Sequence, residues 1–225
     1  MVSDDDVNDM AQTSYGYGCW NASAWFIGPE QGMGRNEDLS MRVKAWIDSG
    51  RRELDDCRAY HLKIQEYRWH EDKVRIQSTW GKLMLLYLAF AEPETTDRRK
   101  FQKEKWGCQP GDTCVIELSG LAAHNAKVNR DRATFLGKRL EHIEQRMLAH
   151  KPRIVVLYGR SNASETAWKK LTEDSVEVEA DSRIAEIRRR ASSFLAWMPH
   201  PVAHGQTNDN WSTLGSKLRS LAQQP

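Results

Sequence analysis

Short uninterrupted apolar runs alternate along the chain with segments whose apolar residues recur every three or four positions. The runs Ser23–Ile27, Thr113–Leu118, Arg153–Tyr158 and Phe194–Met198 are compact and end at turns or loops, which predicts buried strands. The helical spacing is clearest over Arg130–Ala149, where Phe135, Leu136, Leu140, Ile143 and Met147 fall along one side. It recurs over Asn36–Gly50, with Asn36 available as a cap and Gly50 as a stop. Arg51–Tyr67 reads as a charged amphipathic helix, Trp80–Ala91 as an apolar interior one, Glu165–Leu171 as the start of another, and Asn208–Ala222 as a closing helix. His70–Arg75 is polar loop, and Val176–Ile187 has the pattern of an irregular hairpin. Glu92–Asp112, with Pro93 and Pro110, predicts a surface excursion holding a short helix.

Strands separated by helices predict an α/β fold: three layers, α/β/α, around a central, mostly parallel sheet of about four strands. Ligands of such sheets sit beyond the carboxyl ends of the strands. That directs attention to four loops, Gly28–Arg35, Ser119–Asn125, Gly159–Ser164 and Pro199–Gln206. A length of 225 residues suits one domain, placed at residues 21–225. The acidic start MVSDDDVNDMAQTS has neither the basic end nor the apolar stretch of a secretory signal, and residues 1–20 are expected to be a disordered or loosely attached lead.

Composition narrows the classes. No apolar run approaches the roughly 20 residues a membrane helix needs. A net charge of +2 provides no strong overall field for nucleic acid, although thirty-three basic residues could gather on one face. The cysteines, Cys19, Cys57, Cys108 and Cys114, lack the paired spacing of zinc or iron–sulfur sites, so reduced thiols in a cytoplasmic setting and no metal are expected. Nine tryptophans are read first as core.

Two loops hold unusual chemistry. GPEQGMGR combines Gly28, Gly32 and Gly34 with one carboxylate, Glu30, and matches neither the lysine-bearing phosphate loop nor the dinucleotide GxGxxG pattern. MPHPVAHG holds His200 between two prolines directly after a strand, which restrains its backbone. Taken singly, the first reads better as an ordinary turn and His200 better as a satisfied surface or core residue. Together they give an acid and an imidazole at the ends of two strands.

WFIGPEQG followed by a helix, RIVVLYGR followed by a helix, and HPVAHG before a last helix near Trp211 resemble, in order and separation, the motifs of the uracil-DNA glycosylase superfamily. The resemblance covers about Ser23–Leu218 in topology and only those motifs in letters. It implies a DNA glycosylase hydrolysing the N-glycosidic bond of uracil or a related deaminated base, with DNA as partner and no cofactor. Glu30 stands where the family has its water-activating Asp or Asn, and His200 where it has the histidine that stabilises the leaving base. Gly28, Pro29, Gln31, Gly32, Pro201 and Val202 would surround the base, with Glu117 or Asn125 as its reader, and a carboxylate at Glu117 would prefer a base presenting donors. Arg160, Ser161, Asn162, His204 and Gln206 would face DNA, His204 or Gln206 replacing the family's leucine wedge, and Trp25, Trp80 and Trp211 are candidate stacking rings. Gln31 replaces a common proline and Val202 the usual serine. The close N-terminal cysteine pair of the iron–sulfur members is missing, so no cluster is expected. A nucleotide or nucleoside hydrolase, or a DNA-binding module whose motifs have drifted, are the competing readings.

Overall fold

The computed structural model describes residues 2–32, 38–71, 73–91, 96–122, 132–179 and 185–223. Gly34, Arg35, Asn36, Pro93, His124, Asn125 and Arg130 lie outside the described residues. Four parallel strands make the centre of the sheet, in the spatial order β4 (Thr113–Glu117), β2 (Ala24–Gly28), β5 (Ile154–Tyr158) and β8 (Ser193–Met198). Every residue of β2, β4 and β5 is buried, which is why these strands read as continuous apolar runs. Successive side chains feed two separate cores. Phe26, Val115, Val156 and Ala196 point to one face, and Trp25, Ile27, Cys114, Ile116, Val155 and Leu157 to the other.

Among the described residues the sheet has eight strands, twice the expected number, and is mixed. On one side β1 (Gly16–Tyr17) pairs antiparallel with β4, and β3 (Leu54–Asp55) pairs parallel with β1. On the other, β7 (Glu186–Arg190) runs antiparallel to β8 and forms a hairpin with β6 (Val176–Glu179). Two-residue strands such as β1 and β3 have no periodicity to detect, and their pairing is fixed only by the neighbours they meet.

The first face is covered by α2 (Leu39–Asp48), α4 (Ser78–Ala91) and α8 (Asn208–Ala222), which bring Val43, Trp46, Leu83, Met84, Leu86, Trp211 and Leu214 into the core. The backbones of α4 and α8 meet so closely that a Cβ on Gly215 would lie 2.2 Å from the Leu86 carbonyl oxygen. The second face carries α6 (Arg132–His150) and α7 (Asn162–Leu171), with Leu140, Ile143, Met147, Trp168 and Leu171 inward. The chain is therefore α/β, with helices on both faces of the sheet. No helix among the described residues is long and apolar enough to cross a membrane.

Three expectations are corrected. The lead is not loose: α1 (Asp4–Thr13) starts at a capping box between Ser3 and Asp6, buries Met10, and runs into β1. Arg51–Tyr67 is not one helix. Arg51 takes a left-handed φ of 53°, β3 follows, and Asp56 then caps the short α3 (Cys57–Lys63), accepting from the Ala59 amide at 2.8 Å. The stretch before β4 is more than a surface excursion. Its α5 (Arg98–Glu104) buries Phe101 and Gln102, and the Gln102 amide bonds the Gln77 N–H and the carbonyls of Trp69 and Arg75.

Candidate active site

From β2 the chain next enters the sheet centre on one side, at β4, and then on the other, at β5. The carboxyl ends of β2 and β5 therefore flank a topological switch, where an open α/β sheet leaves a crevice. A cavity of about 230 Å³ lies there, lined in part by Pro29, Glu30, Ser119, Arg160, Ser161 and His200. The residues expected to be catalytic, Glu30 and His200, thus share one cavity although most of the chain separates them.

The first loop is held on both sides. Carbonyl oxygens of Gly28 and Pro29 accept from the amides of Leu118 at 2.8 Å and Ser119 at 3.1 Å, locking the end of β2 to the end of β4. Arg42 of α2, buried, donates to Gln31 Oε1 at 2.7 Å and to the Gly32 carbonyl at 3.0 Å. Gln31 is therefore occupied in holding the loop. Gly28 is a steric requirement, because a Cβ there would lie 2.2 Å from the Tyr158 hydroxyl. Oε2 of Glu30 is shielded from solvent.

His200 follows β8, its ring edge-on to Tyr158 at 5.7 Å between centroids. Its Nδ1 accepts a long 3.4 Å hydrogen bond from the Val202 amide, so the neutral ring carries its proton on Nε2. Burial lowers its pKa, which keeps the ring neutral near pH 7. The loop is pinned by Lys82 of α4, whose ammonium donates to the carbonyls of Pro201 at 2.8 Å and Gln206 at 2.6 Å. Pro201 is buried under the loop, whereas Val202 is 53% exposed and His204 is exposed. None of Pro201, Val202, His204 and Gln206 lines the cavity, so the base contact expected of Pro201 and Val202 is not seen.

Glu117 is likewise absent from the cavity wall; Leu118 and Ser119 take its place. Its carboxyl is buried on the face shared with Tyr17 and Tyr158, and Oε2 has no hydrogen-bond partner among the described residues. Burial pushes its pKa up to about 8 against the opposing pull of Arg139 and Arg42. At neutral pH it is a neutral acid with a donor as well as an acceptor, not the carboxylate the sequence implied. Arg139 of α6, buried, fixes the neighbouring backbone by donating to the carbonyls of Leu118 at 2.9 Å, Glu117 at 2.7 Å and Ala11 at 3.0 Å.

Ser161 caps α7, its hydroxyl accepting from the Ser164 amide at 3.1 Å, and the helix start opens onto the cavity. Arg160 beside it is exposed and lies against the Trp197 ring, and Asn162 is exposed at the first helical position. The candidate stacking rings fail: Trp25 and Trp211 are wholly buried and Trp80 is 8% exposed, each packed in the core. A groove of about 1210 Å³ opens elsewhere, lined by Gly18, Trp20, Glu53, Lys105 and Asp112 among others. It lies at the amino ends of the strands, where Asp112 precedes β4, and contains neither Glu30 nor His200. We weigh the smaller cavity above it because it alone combines the strand-end position with an acid and an imidazole.

Cysteine spacing overlooked one further grouping. Cys57, His61 and His70, all buried, converge between α3 and α4. The signal available was a cysteine and a histidine four apart on a helix, with a second histidine soon after. The cysteines form no disulfide. No protein-family profile and no curated protein matches the chain.

Proposed function

We propose that this chain is a DNA glycosylase with a uracil-DNA glycosylase-like fold, hydrolysing the N-glycosidic bond of uracil or a related deaminated base in DNA. The observation that carries the reading is the convergence of Glu30 and His200 on one small strand-end cavity beside the start of α7. Breaking a glycosidic bond builds positive charge on the sugar and negative charge on the departing base, so an acid and a hydrogen-bond donor must serve opposite ends of the bond. Glu30 takes a proton from the attacking water and offsets the sugar's charge. The bonding electrons leave with the base, and His200, protonated on Nε2, donates to its carbonyl oxygen.

A cavity of about 230 Å³ lies below the roughly 300–1,000 Å³ of typical small-molecule clefts, which favours a single flipped base over a whole nucleotide. Arg160 and the α7 amino end offer a phosphate contact beside it, and the exposed His204, or Gln206 at the end of the same loop, would supply the wedge that enters the duplex. Cleavage of labelled oligonucleotides bearing one uracil, hypoxanthine, xanthine or mismatched thymine, followed by alkali, tests the reading. Glu30→Gln and His200→Ala should each lower cleavage by ~10²–10⁴-fold with little change in melting temperature. Wild-type protein that binds these DNAs and cleaves none would instead establish the drifted binding module.

A further inference from the structure

Cys57 and His61 stand one turn apart on α3, and His70 closes the 3-10 turn Tyr67–Trp69 that follows. One ligating atom from each of the three lies within 4.8 Å of the others. Cys57 is fully covered, His61 is 6% exposed and His70 3%. Both ring nitrogens of His70 are shut off from solvent, and neither meets the geometry of a full hydrogen bond among the described residues. The Lys103 backbone is near enough to favour the protonated ring, yet burial and Arg58 outweigh it and bring the pKa to about 4. An imidazole buried with its nitrogens so poorly satisfied is costly, and a bound ion is one remedy.

His61 already touches Cys57, its Nδ1 lying 3.5 Å from the thiol sulfur. Its Nδ1 is 2.6 Å from the Cys57 carbonyl oxygen, which has no proton to give, so Nδ1 donates and the lone pair resides on Nε2. A histidine tied by one nitrogen to a backbone carbonyl is the common arrangement behind metal-bound rings. The Cys108 thiol, also buried, is not among the three grouped ligands. Aromatic rings close the surroundings, with Trp80 and Tyr17 lying 5.2 and 5.1 Å from the His61 ring.

We propose that Cys57, His61 and His70 hold a zinc ion, with a water completing the tetrahedron. Mixed sulfur and imidazole donors suit zinc, whereas calcium and magnesium require oxygen ligands. Tetrahedral zinc sets its donor atoms ~3.3–3.6 Å apart, so the three, now within 4.8 Å of one another, draw together on binding. The Cys57 thiolate offsets half of the ion's charge, two neutral imidazoles complete the protein donors, and binding releases the thiol proton. The ion would staple α3 to the 3-10 turn, elements too short to be stable singly. It takes no part in the glycosylase reaction and stands independently of it.

The test is metal content by mass spectrometry of protein purified from zinc-supplied cells, then cobalt(II) loading after chelation. One zinc per chain is expected, with intense tetrahedral d–d bands and thiolate-to-cobalt charge transfer. Cys57→Ser and His70→Phe should weaken zinc binding by ~100-fold or more against a chromophoric chelator, while Cys19→Ser, outside the cluster, leaves it unchanged. Should those variants fail to fold, the wild-type spectrum still decides. A pale octahedral spectrum, or wild-type protein that carries no zinc and binds added zinc no better than Cys57→Ser, overturns the proposal.

Discussion

Replacing Glu117 with Gln gives the sharpest test of the interior of this fold. The carboxyl is buried and raised to about 8 from an ordinary 4.5, so between those values the native state holds one proton that the unfolded chain has lost. Stability therefore falls as pH rises across that window, by ~1.4 kcal/mol per pH unit, and is fully present only below the unfolded value. Glutamine imitates the neutral acid and does not titrate. At pH 5 the two proteins should melt nearly together. By pH 8 to 9 the variant should be the more stable by roughly 3–5 kcal/mol, about 10 °C for a chain of this size. Thermal melts followed by circular dichroism from pH 5 to 9 measure the difference. Other groups titrate in the same range, among them Asp55, raised by burial to about 6, but they are common to both proteins and cancel. Parallel melting profiles across the whole range would refute the reasoning, and would mean that Arg42 and Arg139 hold the group ionised after all.

Two further substitutions probe how the strand-end cavity is supported. Gly28→Ala places a methyl group against the Tyr158 hydroxyl, which is fixed in the core and edge-on to His200; it should cost ~1–3 kcal/mol in urea melts and lower cleavage more than a loss of folded protein explains. Lys82→Met removes the two bonds from the ammonium to the carbonyls of Pro201 and Gln206, so amide hydrogen exchange over Val202–Gln206 should quicken and KM rise more than kcat falls. Unchanged exchange in that loop would show that its prolines alone hold it.

The central strands were legible because burial on both faces forces an unbroken apolar run, and β2, β4, β5 and β8 are such runs. Helix α8 was legible to the residue, since Thr207 caps it and its apolar face repeats with helical spacing. The edges were not. β1 and β3 are two residues each, and α1 begins with three aspartates that look like solvated tail until Met10 is seen buried.

Sequence by itself determined the α/β alternation and the position of Glu30 and His200 just past two strands, because local periodicity and turn residues encode where a strand stops. Only the tertiary structure decided that β5 lies between β2 and β8, so that both groups face one cavity, and that Glu117 does not line it. It also placed Cys57, His61 and His70 within reach of one another. Strand order and the direction of a buried side chain depend on contacts between residues distant along the chain. Burial then sets the protonation of Glu117 and His200, which no local pattern of residues records.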